Sequence, residues 1–402
     1  MTAQTLHDVG GILYERPFKI RRLNHFGISV HDTGAALTFY RDLLGFKLAD
    51  VIDTAVTDPG PWHEGLPDTN VYFLRHNSDH HTFVLMPRPW IEHMEPPARP
   101  DITVNQVTWQ VSTLREVVQA RLWLQEQGRK IDRYGRDPGS NWHTYFPDPT
   151  GHTNELEYGI EQVGWDGRSK PQAMWPWVQE HPELPAGSEG TELAAAIADG
   201  IDLASGFRWL DKSEKKYDVG GVLLGRPFVP VRLGPVSLFV DDLDAAERFY
   251  TQTLGMTKSE ETVVAGHRAL FLRVNTEHHS LALLPLEARE TLGLSDESTL
   301  CSFGIQLGSY AQLRDSRAFL ESHGVKLIDL PQELHPGIDY VVHAVDPAGH
   351  VMALYYSMEQ VGWDGRVRPA DQRRKVQTGT WPEALEPMSD TYAGETFWGP
   401  IG

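Results

Sequence analysis

Five polar side chains in the first half of the chain fall on the polar faces of predicted strands, where they could meet at one site. Residues 23–30, 105–111 and 141–146 alternate in the period of a β-strand with one buried face. The polar positions, together with a carboxylate on a later strand, are His25, Gln106, His143, Tyr145 and Glu155. An imidazole and a carboxylate with open positions between them suit Fe(II), Mn(II) or a similar ion.

Each of these residues also has a simpler interpretation. A single histidine on a strand is usually only a polar residue, and the ring of Tyr145 could cap the core. Gln106 could point outward or serve only as a hydrogen-bonding group. If Gln106 is not a ligand, His143 could supply the missing nitrogen, because it lies two residues before Tyr145 and points the same way.

The chain repeats itself at two offsets. DVGGILYERPF at 8–18 returns as DVGGVLLGRPF at 218–228, and EQVGWDGR at 161–168 returns unchanged at 359–366. Identity over eight residues that include Trp, Asp and two Gly indicates a duplication rather than chance. The two halves are therefore interpreted as duplicated domains.

The repeats also set the expected domain boundaries. We expect an N-terminal two-module domain over 1–170, a connector with a helix over 171–217, a C-terminal two-module domain over 218–370 and a tail over 371–402. The repeated VGWDGR is interpreted as a structural turn, in which Gly164 and Gly167 permit a tight backbone and Trp165 anchors the turn.

Each half divides again into two modules of the same order. In the first module, the strand with His25 is followed by a helical pattern that ends at Gly45 and by the strands VYFLR and HHTFVLM. The segments VNQVTWQV, REVVQARLWLQEQG, NWHTYF and NELEY continue in the same way, and the second half repeats this order. The expected fold class is α+β, with four βαβββ modules paired into two domains.

Composition limits the classes of partner. The 402 residues have a net charge of −19 and no basic stripe, which disfavours binding to a phosphate backbone. No apolar run approaches the ~20 residues of a membrane span, and the N-terminal sequence lacks a secretory pattern. Cys301 is the only cysteine, so a disulfide within the chain is impossible. We expect a cytoplasmic homo-oligomer without nucleic-acid or membrane partners.

These motifs resemble the vicinal oxygen chelate superfamily and, within it, the type I extradiol dioxygenases, which open catechol rings with Fe(II). The resemblance covers about three quarters of the chain. It rests on the strand with His25, on FY and LLGF in the helix that follows, on HHTFVLMP, and on the pattern Y-x-x-DPTGH-x-x-E. In such proteins, paired βαβββ modules form a sheet that holds one metal.

The resemblance implies a role for each residue by its position. His25 and Glu155 would be metal ligands, and Gln106 would occupy the second ligand position, where a histidine is usual and glyoxalase-like relatives use Gln. His81, the second His of DHHTFVL, would act as acid and base, and Tyr145 would contact the substrate. Fe(II) is the expected ion, with Mn(II) or another divalent metal as the alternative.

The second half departs from this pattern at every ligand position. The corresponding residues are Pro235, Ser302 and Ala353, and none of them is an ordinary side-chain ligand. The pair His278–His279 remains there without the metal ligands. We therefore expect a degenerate second site and one metal per chain, in the first domain.

The expected function is that of a metal-dependent extradiol-type dioxygenase, which cleaves a catechol-like aromatic ring with O2. His81, Tyr145 and His143 are the candidate catalytic residues, whereas His80 is expected to be a loop or surface residue. Two alternatives stay open: a glyoxalase-like metal-dependent isomerase or lyase, which Gln106 favours, and a non-catalytic protein that binds a small molecule.

Overall fold

Alternating apolar residues build two eight-stranded sheets, one in each of two units. The computed structural model describes residues 6–57, 59–94, 96–139, 142–175, 178–377 and 379–394. The first unit consists of Met1–Thr33, Phe46–Arg99 and Val104–Asp211. The second unit consists of Gly34–Gly45, Pro100–Thr103 and Lys212–Gly402.

The first unit contains a short hairpin and the first sheet. Its strands are β1 (His7–Val9), β2 (Ile12–Tyr14), β3 (Arg22–Val30), β4 (Lys47–Asp53), β5 (Asn70–Arg75), β6 (Phe83–Pro87), β7 (Val104–Gln110), β8 (Arg133–Arg136), β9 (Trp142–Pro147) and β10 (Thr153–Tyr158). The sheet order is β4-β5-β6-β3-β7-β10-β9-β8. The opening strands of the two modules, β3 and β7, are therefore antiparallel neighbours, and each lies parallel to the last strand of its own module.

The second unit repeats this arrangement. Its strands are β11 (Tyr217–Val219), β12 (Val222–Leu224), β13 (Pro230–Val240), β14 (Thr257–Val264), β15 (His267–Arg273), β16 (Leu281–Pro285), β17 (Leu300–Leu307), β18 (Lys326–Ile328), β19 (Val341–Val345) and β20 (Val351–Tyr355). The order β14-β15-β16-β13-β17-β20-β19-β18 matches that of the first sheet strand for strand.

The helices follow the opening strands or fill the connections. They are α1 (Thr33–Leu37), α2 (Thr54–Thr57), α3 (Arg88–Met94), α4 (Leu114–Glu126), α5 (Glu189–Ala198), α6 (Leu243–Arg248), α7 (Ala288–Thr291) and α8 (Tyr310–Ser322). α1 and α6 continue as π-helical segments at Thr38–Leu43 and Phe249–Thr253, and 3₁₀ turns occur at Pro61–His63, Gln172–Met174, Gln332–Leu334 and Ala370–Gln372. No helix in the described part of the chain has the length and apolar character to cross a membrane.

This architecture confirms the predicted α+β class and the four βαβββ modules. The helix predicted in the connector over 171–217 is also present, as α5. The repeated DVGG forms the turn of a hairpin in each unit. In the first hairpin the backbone N–H of Gly11 donates to Asp8 Oδ1 at 2.8 Å, and Gly10 and Gly11 have φ of 63° and 84°, which glycine adopts at little cost.

The second repeated motif, EQVGWDGR, forms the turn that was predicted. The N–H of Gly167 donates to the carbonyl of Gly164 at 2.9 Å, and Gly167 has a φ of 84°. The predicted anchoring role of Trp165 is wrong, because its side chain is fully exposed, at 101% of its reference area. Backbone pairing holds the segment instead: the N–H of Val163 donates to the carbonyl of Ser78 at 2.8 Å.

Candidate active site in the first unit

Strand register brings the candidate residues to one face of the first sheet. Directly paired positions on neighbouring strands project to the same face. One such row crosses four strands of the sheet in the order His25, Thr108, Glu155 and Tyr145. We call this face of the first sheet the site face. Gln106 pairs with Gly27, one step along the strands, so Thr108 rather than Gln106 stands directly between His25 and Glu155.

His25 and Glu155 form the centre of the site. Their side chains are buried, at 1% and 0% exposure, and His25 Nε2 lies 3.1 Å from Glu155 Oε2. His25 Nε2 makes no hydrogen bond to any described residue, so its contact with Oε2 is an electrostatic one. Glu155 Oε1 also has no hydrogen-bond partner among the described residues. Thr108 Oγ1 donates to Glu155 Oε2 at 2.5 Å. Burial raises the pKa of Glu155, but His25 and this hydrogen bond outweigh it and lower the pKa to about 2.

These unpartnered atoms test whether the residues suit a metal. Leaving a buried polar atom without a partner is costly, so two such atoms on adjacent side chains are available to bind a ligand. An imidazole nitrogen and an ionised carboxylate are donors that Fe(II), Mn(II) and Zn(II) all accept. His25 and Glu155 therefore fit a divalent cation.

Gln106 and His143 are the two residues predicted as the third protein donor. The described residues contain no group of three or more His, Cys, Asp or Glu arranged to hold a metal, so His143 is not assembled with His25 and Glu155 in this way. Its Nε2 lies 3.8 Å from Asp137 Oδ2, and its Nδ1 has no hydrogen-bond partner among the described residues. Gln106 is buried on the site face, and its amide oxygen accepts a long hydrogen bond of 3.4 Å from Asn105 Nδ2. A ligand role for Gln106 or His143 stays a prediction.

His81 lies beside the centre of the site. Its ring centroid is 4.3 Å from that of His25, and its side chain is buried. Burial, followed by the proximity of His25 and His80, lowers the pKa of His81 well below its ordinary value, so the ring is neutral at pH 7. His80 lies in a loop, as expected, and its side chain is buried, at 1% exposure.

Tyr145 and His143 line the other side of Glu155. Burial, followed by the charge of Glu155, raises the pKa of Tyr145 well above its ordinary value and keeps the phenol neutral. The guanidinium of Arg133 lies 4.1 Å from the centroid of the Tyr145 ring. The ring centroid of His143 is 4.9 Å away, and burial lowers its pKa. Asn141, the first residue of the strand predicted over 141–146, lies outside the described residues.

Sequence reasoning gave no role to a second buried carboxyl group on the site face. Glu157 follows Glu155 by two residues and pairs with His143 across the strands. Asn24 Nδ2 donates to Glu157 Oε1 at 2.6 Å. Burial, followed by the charge of Glu155, raises the pKa of Glu157 well above its ordinary value and so favours its neutral form. The period of two predicts that Glu157 shares the face of Glu155, but it gives no information about the pKa.

The equivalent face of the second sheet lacks the proposed ligands and is partly filled by apolar residues. Ser237 and Phe239 share that face, and strand pairing adds Phe271 and Leu284. These three apolar residues belong to one buried cluster. Ala353 pairs with Gly304 and His343, in the row that holds Glu155 in the first sheet. The row therefore has no carboxylate at the position of Glu155.

Comparison with known proteins places the chain in a family. The model of the Glyoxalase/Bleomycin resistance protein/Dioxygenase superfamily matches residues 22–156 and 232–354, and the chain belongs to this superfamily. The two matched segments correspond to the two eight-stranded sheets.

Similar proteins include dioxygenases. A biphenyl-2,3-diol 1,2-dioxygenase from a Pseudomonas species is 28% identical over 160 residues, which are 38% of this chain and 48% of that protein. The chain matches about a quarter to a half of the length of such curated relatives. A crystal structure of catechol 2,3-dioxygenase shares the fold, with a TM-score of 0.54 and 18% identity over 92% of this chain and 97% of the other. The Mn(II)-bound glyoxalase from Novosphingobium aromaticivorans also shares it, with a TM-score of 0.52 and 17% identity over 86% and 85%.

Proposed function

We propose that this protein is a metal-dependent extradiol-type dioxygenase that cleaves a catechol-like aromatic ring with O2. One observation carries the proposal: two buried donor atoms without partners, on His25 and Glu155, lie beside the neutral imidazole of His81. Two curated relatives support the reaction class: the biphenyl-2,3-diol 1,2-dioxygenase named above and a 3-methylcatechol 2,3-dioxygenase from Pseudomonas putida, which is 41% identical over 88 residues.

His25 and Glu155 would hold the ion, with Gln106 or His143 as the predicted third donor. Fe(II) is the expected metal, and Mn(II) or another divalent ion is the alternative. When bound, the ion supplies positive charge that lowers the pKa of a substrate hydroxyl, and open coordination positions. Thr108 orients Glu155, because its hydroxyl donates to Oε2.

The other residues of the site face would handle the substrate. A neutral His81 can take the proton of one catechol hydroxyl, since a base must be unprotonated before it acts. The neutral phenol of Tyr145 can donate a hydrogen bond to a substrate oxygen. Burial of all these side chains limits the access of water and strengthens their electrostatic effects.

One alternative function has an observation in its favour. A metal-dependent isomerase or lyase of the glyoxalase kind would suit Gln106, which is buried on the site face near Glu155. Such an enzyme would not consume O2. A non-catalytic binding protein, the remaining possibility, would not need the unpartnered donors of His25 and Glu155.

Two measurements test the proposal. Metal analysis of protein purified without oxygen should find one Fe(II) or other divalent ion per chain, and oxygen uptake with a panel of catechols should identify a substrate. The control is His279→Ala, which changes the counterpart of His81 in the second unit and should keep full activity. Stoichiometric metal without oxygen uptake would favour the isomerase or lyase, and absence of metal would favour the binding protein.

A further inference from the structure

The side chains of a carboxylate and two histidines form a buried hydrogen-bonded chain that ends at His81. Asp50 Oδ2 lies 3.1 Å from His80 Nε2, and His80 Nδ1 lies 3.0 Å from His81 Nδ1. All three side chains are buried. Each contact is within hydrogen-bond distance, so the protons along this chain are coupled.

The chemistry of these groups determines where each proton sits. A carboxylate oxygen accepts hydrogen bonds, so His80 Nε2–H donates the first one to Asp50. With its ring proton on Nε2, His80 accepts the second hydrogen bond at Nδ1. The donor of that bond must be His81 Nδ1–H. With Nδ1–H as the donor in this tautomer, the lone pair of the His81 ring lies on Nε2.

We propose that Asp50 and His80 are positioning residues that fix His81 in its Nδ1–H tautomer, so that Nε2 is always available as the base. The inference rests on the proposed function for its catalytic meaning, but the tautomer itself does not depend on it. The opposite tautomer would carry the proton on Nε2 and could not accept one from a substrate hydroxyl.

The surrounding backbone holds His80 in place. The N–H of His80 donates to the carbonyl of Glu161 at 2.7 Å, and Gln162 Nε2 donates to Asp79 Oδ1 at 2.7 Å. Gly139 closes over the ring: a Cβ there would lie 2.2 Å from His80 Nδ1, and its φ is +77°. The first residues of the repeated EQVGWDGR motif therefore clamp the loop that carries the histidine pair.

The second unit contains the same chain without the metal ligands. Glu260 Oε2 lies 3.0 Å from His278 Nε2, and His278 Nδ1 lies 3.1 Å from His279 Nδ1. The N–H of His278 donates to the carbonyl of Glu359, the counterpart of Glu161 in the repeated motif, at 2.9 Å. His278 thus provides a matched control for any structural effect of changing His80.

The direct test is the tautomer of His81 by ¹⁵N NMR on the metal-free full-length chain labelled in histidine. Comparison with His81→Gln assigns the signal. We expect His81 to carry its proton on Nδ1 in the wild type and to shift toward the Nε2–H form in His80→Phe, which keeps the ring volume without nitrogen. An Nε2–H form in the wild type would overturn the proposal, since it would mean that a protonated His80 donates to both neighbours.

Kinetics with the metal-loaded protein provide the second readout. His80→Phe should lower kcat about tenfold, the equilibrium effect of losing one hydrogen bond, with unchanged metal content and KM. His80→Gln should restore part of kcat, because its amide oxygen can accept from His81 Nδ1–H, and His278→Phe should have no effect. Equal losses in His80→Phe and His278→Phe would refute a positioning role. If no substrate is turned over at all, the proposed function fails, while the NMR result still decides the tautomer.

Discussion

Replacing Thr108 by Val tests the electrostatics of the proposed metal site without changing a proposed ligand. Val has nearly the same shape, but it cannot donate to Glu155 Oε2, which now accepts at 2.5 Å. A hydrogen bond to a charged group contributes about 1.5–3 kcal/mol. Thr108 is the last of the causes that lower the pKa of Glu155, so the lower end of that range is expected. The free energy of unfolding of the metal-free protein at pH 7 should therefore fall by about 1.5 kcal/mol.

The pH dependence of this loss has a definite sign. The pKa of Glu155 is lowered from 4.5 to about 2 in the folded state, so its ionised form stabilises the fold above pH 4.5. This stabilisation disappears as the pH falls toward 2. In Thr108→Val the pKa of Glu155 in the folded state is higher. The difference in the free energy of unfolding between the two proteins should therefore be largest above pH 4.5 and disappear as the pH falls through 2. Urea denaturation of metal-free protein at several pH values measures it.

The same substitution should weaken the metal site. Groups that orient a ligand carboxylate typically change metal affinity by about 10–100-fold, and isothermal titration with Mn(II) would measure the effect. The control is Thr144→Val, which removes an equally buried hydroxyl that has no hydrogen-bond partner among the described residues. That variant should keep its metal affinity and its stability. The reasoning is refuted if the two variants lose equal stability, or if Thr108→Val binds metal as tightly as the wild type.

Four further predictions concern the proposed ligands and the base. His25→Ala and Glu155→Ala should each lose metal and activity, because a site with so few protein donors has none to spare; unchanged metal content in both would leave only the binding-protein alternative. His81→Ala should keep the metal, while kcat falls by ~10²–10⁴ in oxygen-uptake assays, and a normal kcat would exclude it as the base. Gln106→His should keep or tighten metal binding, because imidazole is the stronger donor; unchanged affinity, combined with metal loss in His143→Ala, would instead identify His143 as the third ligand. Elemental analysis should find one metal per chain, and two would show that the second unit also binds one.

The sequence predicted the modules well because each opening strand and each long helix has a clear period. The missed strands are β4, β8, β14 and β18, which lie at the ends of the two sheet orders. An edge strand pairs on one side only, so it can carry polar residues where a central strand cannot, and its pattern of apolar residues can be weak. β14, with sequence TKSEETVV, is an example, since only Val264 of its eight residues is buried.

The candidate site was predictable as a face but not as a set of contacts. A period of two correctly placed His25, Gln106 and Glu155 on one side of the sheet. The pairing depends on shifts in register, which occur between Leu23 and His25 and between Gly27 and Ile28. A single shift changes which residues of two neighbouring strands pair with each other. Here the shifts pair His25 with Thr108, which places Thr108 between His25 and Glu155. No local pattern in the sequence encodes such a shift.

The duplication separates what the fold needs from what the chemistry needs. Both units keep a carboxylate–His–His chain clamped by an EQV segment, although only the first has His25 and Glu155 on the adjoining strands. A motif that is identical in both halves, such as EQVGWDGR, therefore reflects the scaffold that holds the histidine loop. The positions at which the halves differ in chemical type identify the site. By this argument the difference between Glu155 and Ala353 is more informative about function than any of the repeated residues.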